Sequence, residues 1–507
     1  MGSVLLPALL QAPLKKMAAQ LAEHAGDATR AGLILTHLGA MTGRLCFPGG
    51  LTAASRHAGA EPLWTGRAQP YDESTLRRSL ALMARWSGAA VVARHLEAQV
   101  ETAVKAWGMP VTAFTDMFDQ PNYTKKLAHS GPIGRLGNRI LAASYWGMTF
   151  VRLPGSDVSL AYHLSAHKPA TPLVDALVDV YIDPPRKAWM LANIRMHNWD
   201  RGGNGEKVLL WALNQGIPYL TLSGKTAHWT RMNNATQFTE QGVPVFDRRD
   251  TRNVATTAAG LALMPSRVTF PAHPEKGTKS SKSLVYLTAA DLTREETVAI
   301  NQVYKERWGS MENQIKNLIA VGFDINRERA QHLVTSRGVD GKLVALDEKE
   351  SVLLDEIAGL EPALTQAERN RVKTRRKKLR STRAKRTALR RKPLTKHARA
   401  LTGGEIMCKN LLLMTTNALA LVLTQSMVQD IQMMTPQIVR ELLLGRSALA
   451  RLDGNAITLF IDRVADARQR RLQEELVRLF DSLHLNIRGQ TVRLRLQNRS
   501  TIQRFQI

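Results

Sequence analysis

Apolar residues in the first hundred positions recur at the three- and four-residue intervals of amphipathic helices. The stretches LAEHAGDATRAGLILTHLGAM, YDESTLRRSLALMARW and AVVARHLEAQVETAVKAWG each predict a helix. In the second, Asp72 or Ser74 can cap the first turn, and Leu76, Leu80 and Met83 form one apolar face that Arg77, Arg78 and Arg85 avoid. From Val111 the pattern shifts to short apolar runs between turn residues. VTAFTD, AASYWGMTFVRL, VSLAYHL, MLANIRMHNWD and PYLTLSGK predict strands, with a helical GNGEKVLLWALNQG between the last two. That strand–helix–strand order predicts an α/β domain.

Positions 231–290 are rich in Gly, Pro, Asn and Thr, and carry strand-like VPVFD, RVTF and LVYLTA, so a β-rich insertion is expected there. Helical spacing returns over TREETVAINQVYKERWGSMENQIKNLIAV, from Thr293 to Val321. Further helices are predicted over 405–450 and 460–484. LHLNIRGQTVRLRLQ, alternating about Gly489, predicts a terminal hairpin. The expected organisation is a helical segment over 1–105, an α/β core over 106–330 with its insertion at about 230–292, and a basic, mainly helical segment over 331–507.

Charge changes this picture. Seventy Lys and Arg against forty-three Asp and Glu leave a net +27, which favours a polyanionic partner, nucleic acid being the commonest. Fifteen of those cations fall in the twenty-eight positions from Arg369 to Lys396, RNRVKTRRKKLRSTRAKRTALRRKPLTK, with no acid among them. Such a run is a solvated helix, a disordered basic tail or a phosphate-binding surface; Arg375, Arg376, Lys377 and Lys378 are its densest part. Lacking interleaved aromatics, it offers contact to the backbone and no base stacking. Only Cys46 and Cys408 occur, which excludes a disulfide framework or a Cys-rich zinc site and fits a reducing cytosol. At the N-terminus the Lys pair follows the apolar stretch instead of preceding it, so no targeting segment is expected. The most apolar window, Leu411 to Leu423, falls short of the roughly 18–20 residues of a bilayer span, so a soluble protein without a membrane partner is expected.

Several familiar motifs fail. SGKT at 223–226 has Tyr219 where a phosphate-binding loop needs glycine, which disfavours an ATPase or helicase. The thirteen histidines show no HExxH spacing. GGNG at 202–205 could hold an anion on backbone N–H groups but lacks the GxGxxG spacing. Three acids are better placed. Asp116 ends the strand VTAFTD, Asp200 ends ANIRMHNWD, and Glu312 lies on the helix around YKERWGSMENQIK. Two strand-end carboxylates and one from a helix suit a pair of Mg²⁺ ions, which want hard oxygen ligands. Ions about 4 Å apart activate an attacking oxygen and neutralise a leaving one in phosphodiester chemistry. Asp119 and Asp183 compete with Asp116 for the first position.

The stretch Tyr304-Lys-Glu-Arg307-Trp308-Gly-Ser-Met-Glu312-Asn313-Gln-Ile-Lys316 resembles the Tyr–Arg–Glu–Lys signature of DDE transposases of bacterial insertion sequences. NWDRGGNGEKVLLWALNQGIPYLTLSGK is similar to the second-aspartate block of that family, and VTAFTDMFDQPNYTKK to its first, with Tyr123 and Lys125 downstream. The three acids are 84 and 112 residues apart, and the longer gap fits a β insertion before the last. Glu312 follows Arg307 by five residues where the commoner signature has four, and the position seven beyond Glu312 is Ile319. By the helical period Arg307 lies about 140° round from Glu312, which assigns it to structure or flanking DNA and away from the scissile phosphate.

The resemblance implies a ribonuclease H-like core flanked by helical DNA-binding segments. It also implies a transposase that binds its element's terminal inverted repeats, then cuts and joins DNA. Asp116, Asp200 and Glu312 would hold two Mg²⁺, with Mn²⁺ able to substitute. Tyr304, Lys316 and Lys225 would position phosphates. The partners would be double-stranded DNA of element and target, bound by at least a dimer, in a bacterial cytoplasm at the nucleoid. Two other readings stay open: a non-catalytic DNA-binding derivative, and a structure-selective nuclease on the same fold.

Overall fold

The computed structural model describes residues 1–45, 58–122, 142–165, 172–203, 205–222, 236–240, 243–257, 260–271, 283–290, 300–324, 330–335, 337–360, 365–391, 395–400 and 402–497; for some of these, Glu312 among them, it describes the backbone alone. Among the described residues, six α-helices open the chain: α1 (Gly2–Leu9), α2 (Gln11–His24), α3 (Ala31–Leu45), α4 (Glu61–Thr65), α5 (Glu73–Arg85) and α6 (Gly88–Trp107). Asp72 caps α5 by accepting from the Thr75 N–H, and Leu76, Leu80 and Met83 are the residues that α5 buries. Gly108, at φ 79°, closes α6 in the left-handed conformation that glycine adopts without strain.

A mixed α/β architecture follows. Strands β1 (Val111–Asn122), β2 (Ala142–Leu153) and β3 (Ser156–Ser165) form an antiparallel meander, then come α7 (Pro172–Ile182) and α8 (Pro184–Asn193). Next are β4 (Ile194–Trp199), α9 (Glu206–Asn214) and β5 (Tyr219–Leu222). β4 pairs parallel with β1 on one side and with β5 on the other. The expected strand over 190–200 is shorter than its apolar run, because Asp183 and Pro184 start a helix that runs on through Asn193.

The β-rich stretch supplies β6 (Thr236–Glu240), β7 (Val243–Thr257), β8 (Gly260–Pro271) and β9 (Ser283–Thr288). It is continuous with the core: β9 pairs with β5, giving one nine-stranded sheet in the order β3-β2-β1-β4-β5-β9-β8-β7-β6. Helix α10 (Ile300–Ala320) packs on β1 and β4 of this sheet. The chain then makes an excursion. Strand β10 (Ala330–Thr335) leads out to α11 (Arg337–Ala358) and α12 (Gln366–Arg390), and β11 (Thr395–Ala400) returns antiparallel to β10. The two helices enclose their own small core of Leu353, Ile357 and Leu379.

The C-terminal part is less helical than its pattern predicts. Helix α13 (Gly403–Leu423) is followed by short turns of helix up to Leu444. A four-stranded sheet then follows: β12 (Ala448–Asp453), β13 (Ala456–Asp462), β14 (Asn486–Ile487) and β15 (Gln490–Gln497), with α14 (Ala467–Ser482), inside the helix expected over 460–484, as the crossover. The β12–β13 turn falls at Gly454, φ 57°, and the expected terminal hairpin turns at Arg488–Gly489, both at positive φ.

Alternation along the strands sorts the core. Phe114, Trp146, Met148 and Phe150 pack with the N-terminal helices, α10, α13 and the C-terminal sheet, while Val111, Ala113, Val151 and Val158 pack with α7, α8 and α9 on the other face. Helix α13 contains the apolar window that reads as too short to span a bilayer. At 21 residues it is long and apolar enough to do so, and 83% of its most apolar window is buried inside the protein.

Candidate active site

Parallel pairing of β1 with β4 sets Thr115 opposite Trp199, so Asp116 and Asp200 follow on neighbouring strands. Asp116 does not end its strand, as the apolar run predicts; β1 continues to Asn122 because residues beyond Asp116 keep pairing with β2. Asp116 stands instead where the ladder with β4 stops. By alternation it shares the Phe114 face, over which α10 lies.

Helix α10 brings a cation to both acids. Arg307 Nη1 donates to Asp116 Oδ2 at 2.5 Å and Nη2 to Asp200 Oδ1 at 3.1 Å. The Arg307 side chain is 1% exposed, those of Asp116 and Asp200 23% and 38%, so the pair opens to solvent on the side away from the arginine. Asp116 Oδ1 accepts the Met117 N–H at 2.8 Å. Tyr304 O–H donates to Asp200 Oδ1 at 3.4 Å, and its ring lies 5.2 Å from the Arg307 guanidinium carbon. Burial pushes the Asp116 carboxyl up from its ordinary value, Arg307 pulls against it, and the Asp200 charge adds to the rise. Burial also raises Tyr304, to about 12, against the pull of Arg307.

What seats α10 is partly the β-rich stretch. Tyr286 of β9 packs edge-on against Tyr304 at 5.3 Å, in a small core with Met196, Leu220 and Ala290. At its far end, Lys409 of α13 donates to the Phe323 carbonyl, pairs with Glu405 at 3.2 Å, and lies over the rings of Trp146 and Phe323. A buried ammonium is tolerated because the carboxylate, a carbonyl and two π-faces surround it.

Beneath the acids runs a buried polar chain. Tyr181 O–H meets His197 Nδ1 at 2.8 Å, His197 Nε2 meets the Thr115 hydroxyl at 2.7 Å, and Thr115 meets Thr149 at 2.7 Å. It ties α7, β4, β1 and β2 together one residue from Asp116 and three from Asp200. Burial lowers the imidazole to about 3, so it is neutral and must share its proton with a hydroxyl. After Asp200 the chain turns tightly: the Gly203 N–H donates to the Asp200 carbonyl at 2.9 Å, and the Trp199 indole donates to Gly203 O at 3.2 Å. A Cβ on Gly203 would lie 2.7 Å from that indole, so part of GGNG serves packing.

The other sequence-predicted residues are placed as follows. Glu312 lies on α10, with its side chain outside the described residues. Lys225, Tyr123 and Lys125 lie outside them altogether, and of Asp119 only the backbone is described. Asp183 caps α8 by accepting the Arg186 N–H at 3.1 Å, a structural role away from the pair. Lys316 is nine residues beyond Arg307, about 13 Å along the helix, and lines a cleft at the opposite end of β1 with Arg152 and Arg195. Arg375 pairs with Glu356 at 2.9 Å, and Arg383 and Arg386 with Glu350 of α11, so part of the basic run is spent on holding the arm. Arg376, Lys377 and Lys378 are exposed on α12.

Sequence reasoning missed both the Arg307 bridge and the Tyr181–His197–Thr115–Thr149 chain. Strand alternation through Thr115 and His197 was the available signal for the second. Among the described residues no three His, Cys, Asp or Glu gather as a metal group. Asp116 and Asp200 nonetheless form a hard-oxygen pair already compensated by one cation, and such donors fit a divalent ion. No protein-family model matches the chain, and no curated protein matches its sequence.

Proposed function

We propose that this chain is a DNA transposase of the DDE type, which binds the terminal inverted repeats of its element and cleaves and joins DNA there. The observation that carries the reading is the meeting of Asp116 and Asp200, 84 residues apart, beneath the helix that bears Tyr304, Arg307 and Glu312. The order β3-β2-β1-β4-β5, with β1, β4 and β5 parallel and β2 reversed, supports a ribonuclease H-like core.

Asp116, Asp200 and Glu312 are the residues that would hold two Mg²⁺, or Mn²⁺ in their place. When bound, those ions supply activation of the attacking oxygen and neutralisation of the leaving one. The chain's own part is to fix the acids and to hold DNA. The buried Thr115–His197 link keeps β1 and β4 in register, and with it the spacing of the two carboxylates. Tyr304 steadies Asp200. Lys316 of α10 and Arg195 of β4 offer positive charge in the cleft at the opposite end of β1, and the outward cations of α12 offer backbone contact at a distance from the cut.

The test is incubation of the protein with supercoiled plasmid carrying the element ends, with and without Mg²⁺. Nicks at the repeat boundaries that need the ion are expected. A shifted band without nicks would leave a binding protein, and cutting indifferent to the repeats would leave a structure-selective nuclease.

A further inference from the structure

We infer that Arg307 is the resident counter-cation of the Asp116–Asp200 pair, and that duplex DNA opens the pair to divalent metal by drawing the guanidinium onto a phosphate. This inference rests on the function proposed above and gives that site an order of binding. One guanidinium engages an oxygen of each acid, at 2.5 and 3.1 Å, from a side chain that is itself almost fully buried. Arginine does not lose its proton in proteins, so it cannot yield its place by becoming neutral. A divalent ion shared by the same two oxygens would sit a few ångströms from a fixed positive charge, and like charges that close in a half-buried site repel strongly. The guanidinium must therefore move before the ion settles.

The guanidinium carbon of Arg307 already lies 5.2 Å from the centre of the Tyr304 ring, whose face attracts a cation. The open side of the pair lies at the more exposed Asp200. What it then needs is a replacement anion. A phosphodiester matches the fork of a guanidinium in charge and in geometry, and it comes only with nucleic acid. Metal and DNA should consequently bind with positive coupling, each tightening the other by the same factor. In the absence of DNA, the salt bridges keep the acids compensated and the site closed to the ion.

Mn²⁺ binding to the full-length protein, followed by electron paramagnetic resonance of the free ion, tests this without any need for cleavage. With ion bound by DNA alone subtracted, a short duplex should tighten Mn²⁺ binding by about tenfold or more, within the usual range of coupling between sites. Arg307→Gln should bind Mn²⁺ at the tighter level without DNA, and duplex should add nothing further. Asp200→Asn should remove the tight site in either background. A duplex that leaves wild-type Mn²⁺ affinity unchanged would overturn the inference, as would an Arg307→Gln protein that is folded by circular dichroism and binds no better than wild type. Should that variant not fold, the wild-type comparison with and without duplex decides alone. Cleavage at the element ends without coupling would keep the transposase and discard the latch; coupling without cleavage would do the reverse.

Discussion

Arginine meets carboxylate both at the candidate site and on the arm, and these two meetings have different consequences. At the candidate site a single guanidinium, 1% exposed, compensates two acids on the central sheet. On the arm, Arg375 and Glu356 meet at 37% and 39% exposure, and Arg383, itself 52% exposed, reaches Glu350. Water screens the second kind, and pairs of that sort contribute about 0.2–1 kcal/mol. Removing one partner of a buried pair leaves charge uncompensated and costs about 3–5 kcal/mol. Burial of the guanidinium, and not the count of ion pairs, should therefore set which of these two places is the more sensitive.

The sharpest way to exploit the difference is to neutralise one acid at a time. Asp116→Asn, Asp200→Asn and Glu312→Gln should each abolish cleavage while leaving DNA binding intact, measured by plasmid nicking beside a mobility shift; full cleavage by Glu312→Gln in Mg²⁺ would remove that residue from the site. Next in size, Arg307→Met should destabilise the fold by about 3–5 kcal/mol and Arg383→Met by less than about 1 kcal/mol, read from urea unfolding. Equal losses would dissolve the contrast between the regions.

Acid should act on the core before the arm. His197 is held near 3 in the folded protein and titrates at about 6.5 when unfolded, so the unfolded chain takes the proton first. The stability tied to its neutral form is complete above about pH 6.5 and is lost as pH falls towards 3. His197→Gln should flatten that part of the pH profile in urea melts, and an unchanged slope would place the acid sensitivity elsewhere.

The arm's cations should matter through salt. Replacing Lys377 and Lys378 with Gln should weaken DNA binding at every sequence. For each phosphate that the variant no longer neutralises, the slope of log affinity against log salt should flatten by about 0.9, while cleavage of bound ends persists. The most local effect belongs to the start of α12, where Thr365 and Glu368 form a reciprocal cap. Thr365→Ala should cost about 1 kcal/mol, seen as faster amide exchange in the first turn of that helix only.

Much of the fold is legible in the chain, for identifiable reasons. The apolar runs around Val111, Ala142 and Tyr219 name their strands because a buried sheet demands continuous apolar surface, and Leu76, Leu80 and Met83 name the inner face of α5 by their period. Asp116 and Asp200 emerge from their places beside those runs. Arg307 does not, because helical phase relates it to Glu312 but says nothing about which strand the helix crosses. The C-terminal sheet is hidden by its short strands, although Asp453 and Gly454 between ALARL and ITLFI are a hairpin signal. Asp183 competes as a ligand on residue type alone, whereas the two prolines that follow it mark a helix start.

The apolar core joining α1 to the C-terminal sheet gathers side chains from Val4 to Leu494. During synthesis the N-terminal helices leave the ribosome long before α13, against which they pack, has been translated. Val91, Leu96 and their neighbours must therefore wait, sheltered by one another or by a chaperone, until nearly the whole message has been read. A product cut short before residue 403 would carry both aspartates and the entire basic arm, yet expose the surface that α13 covers. Premature termination should thus yield aggregation and degradation in place of a partially active fragment.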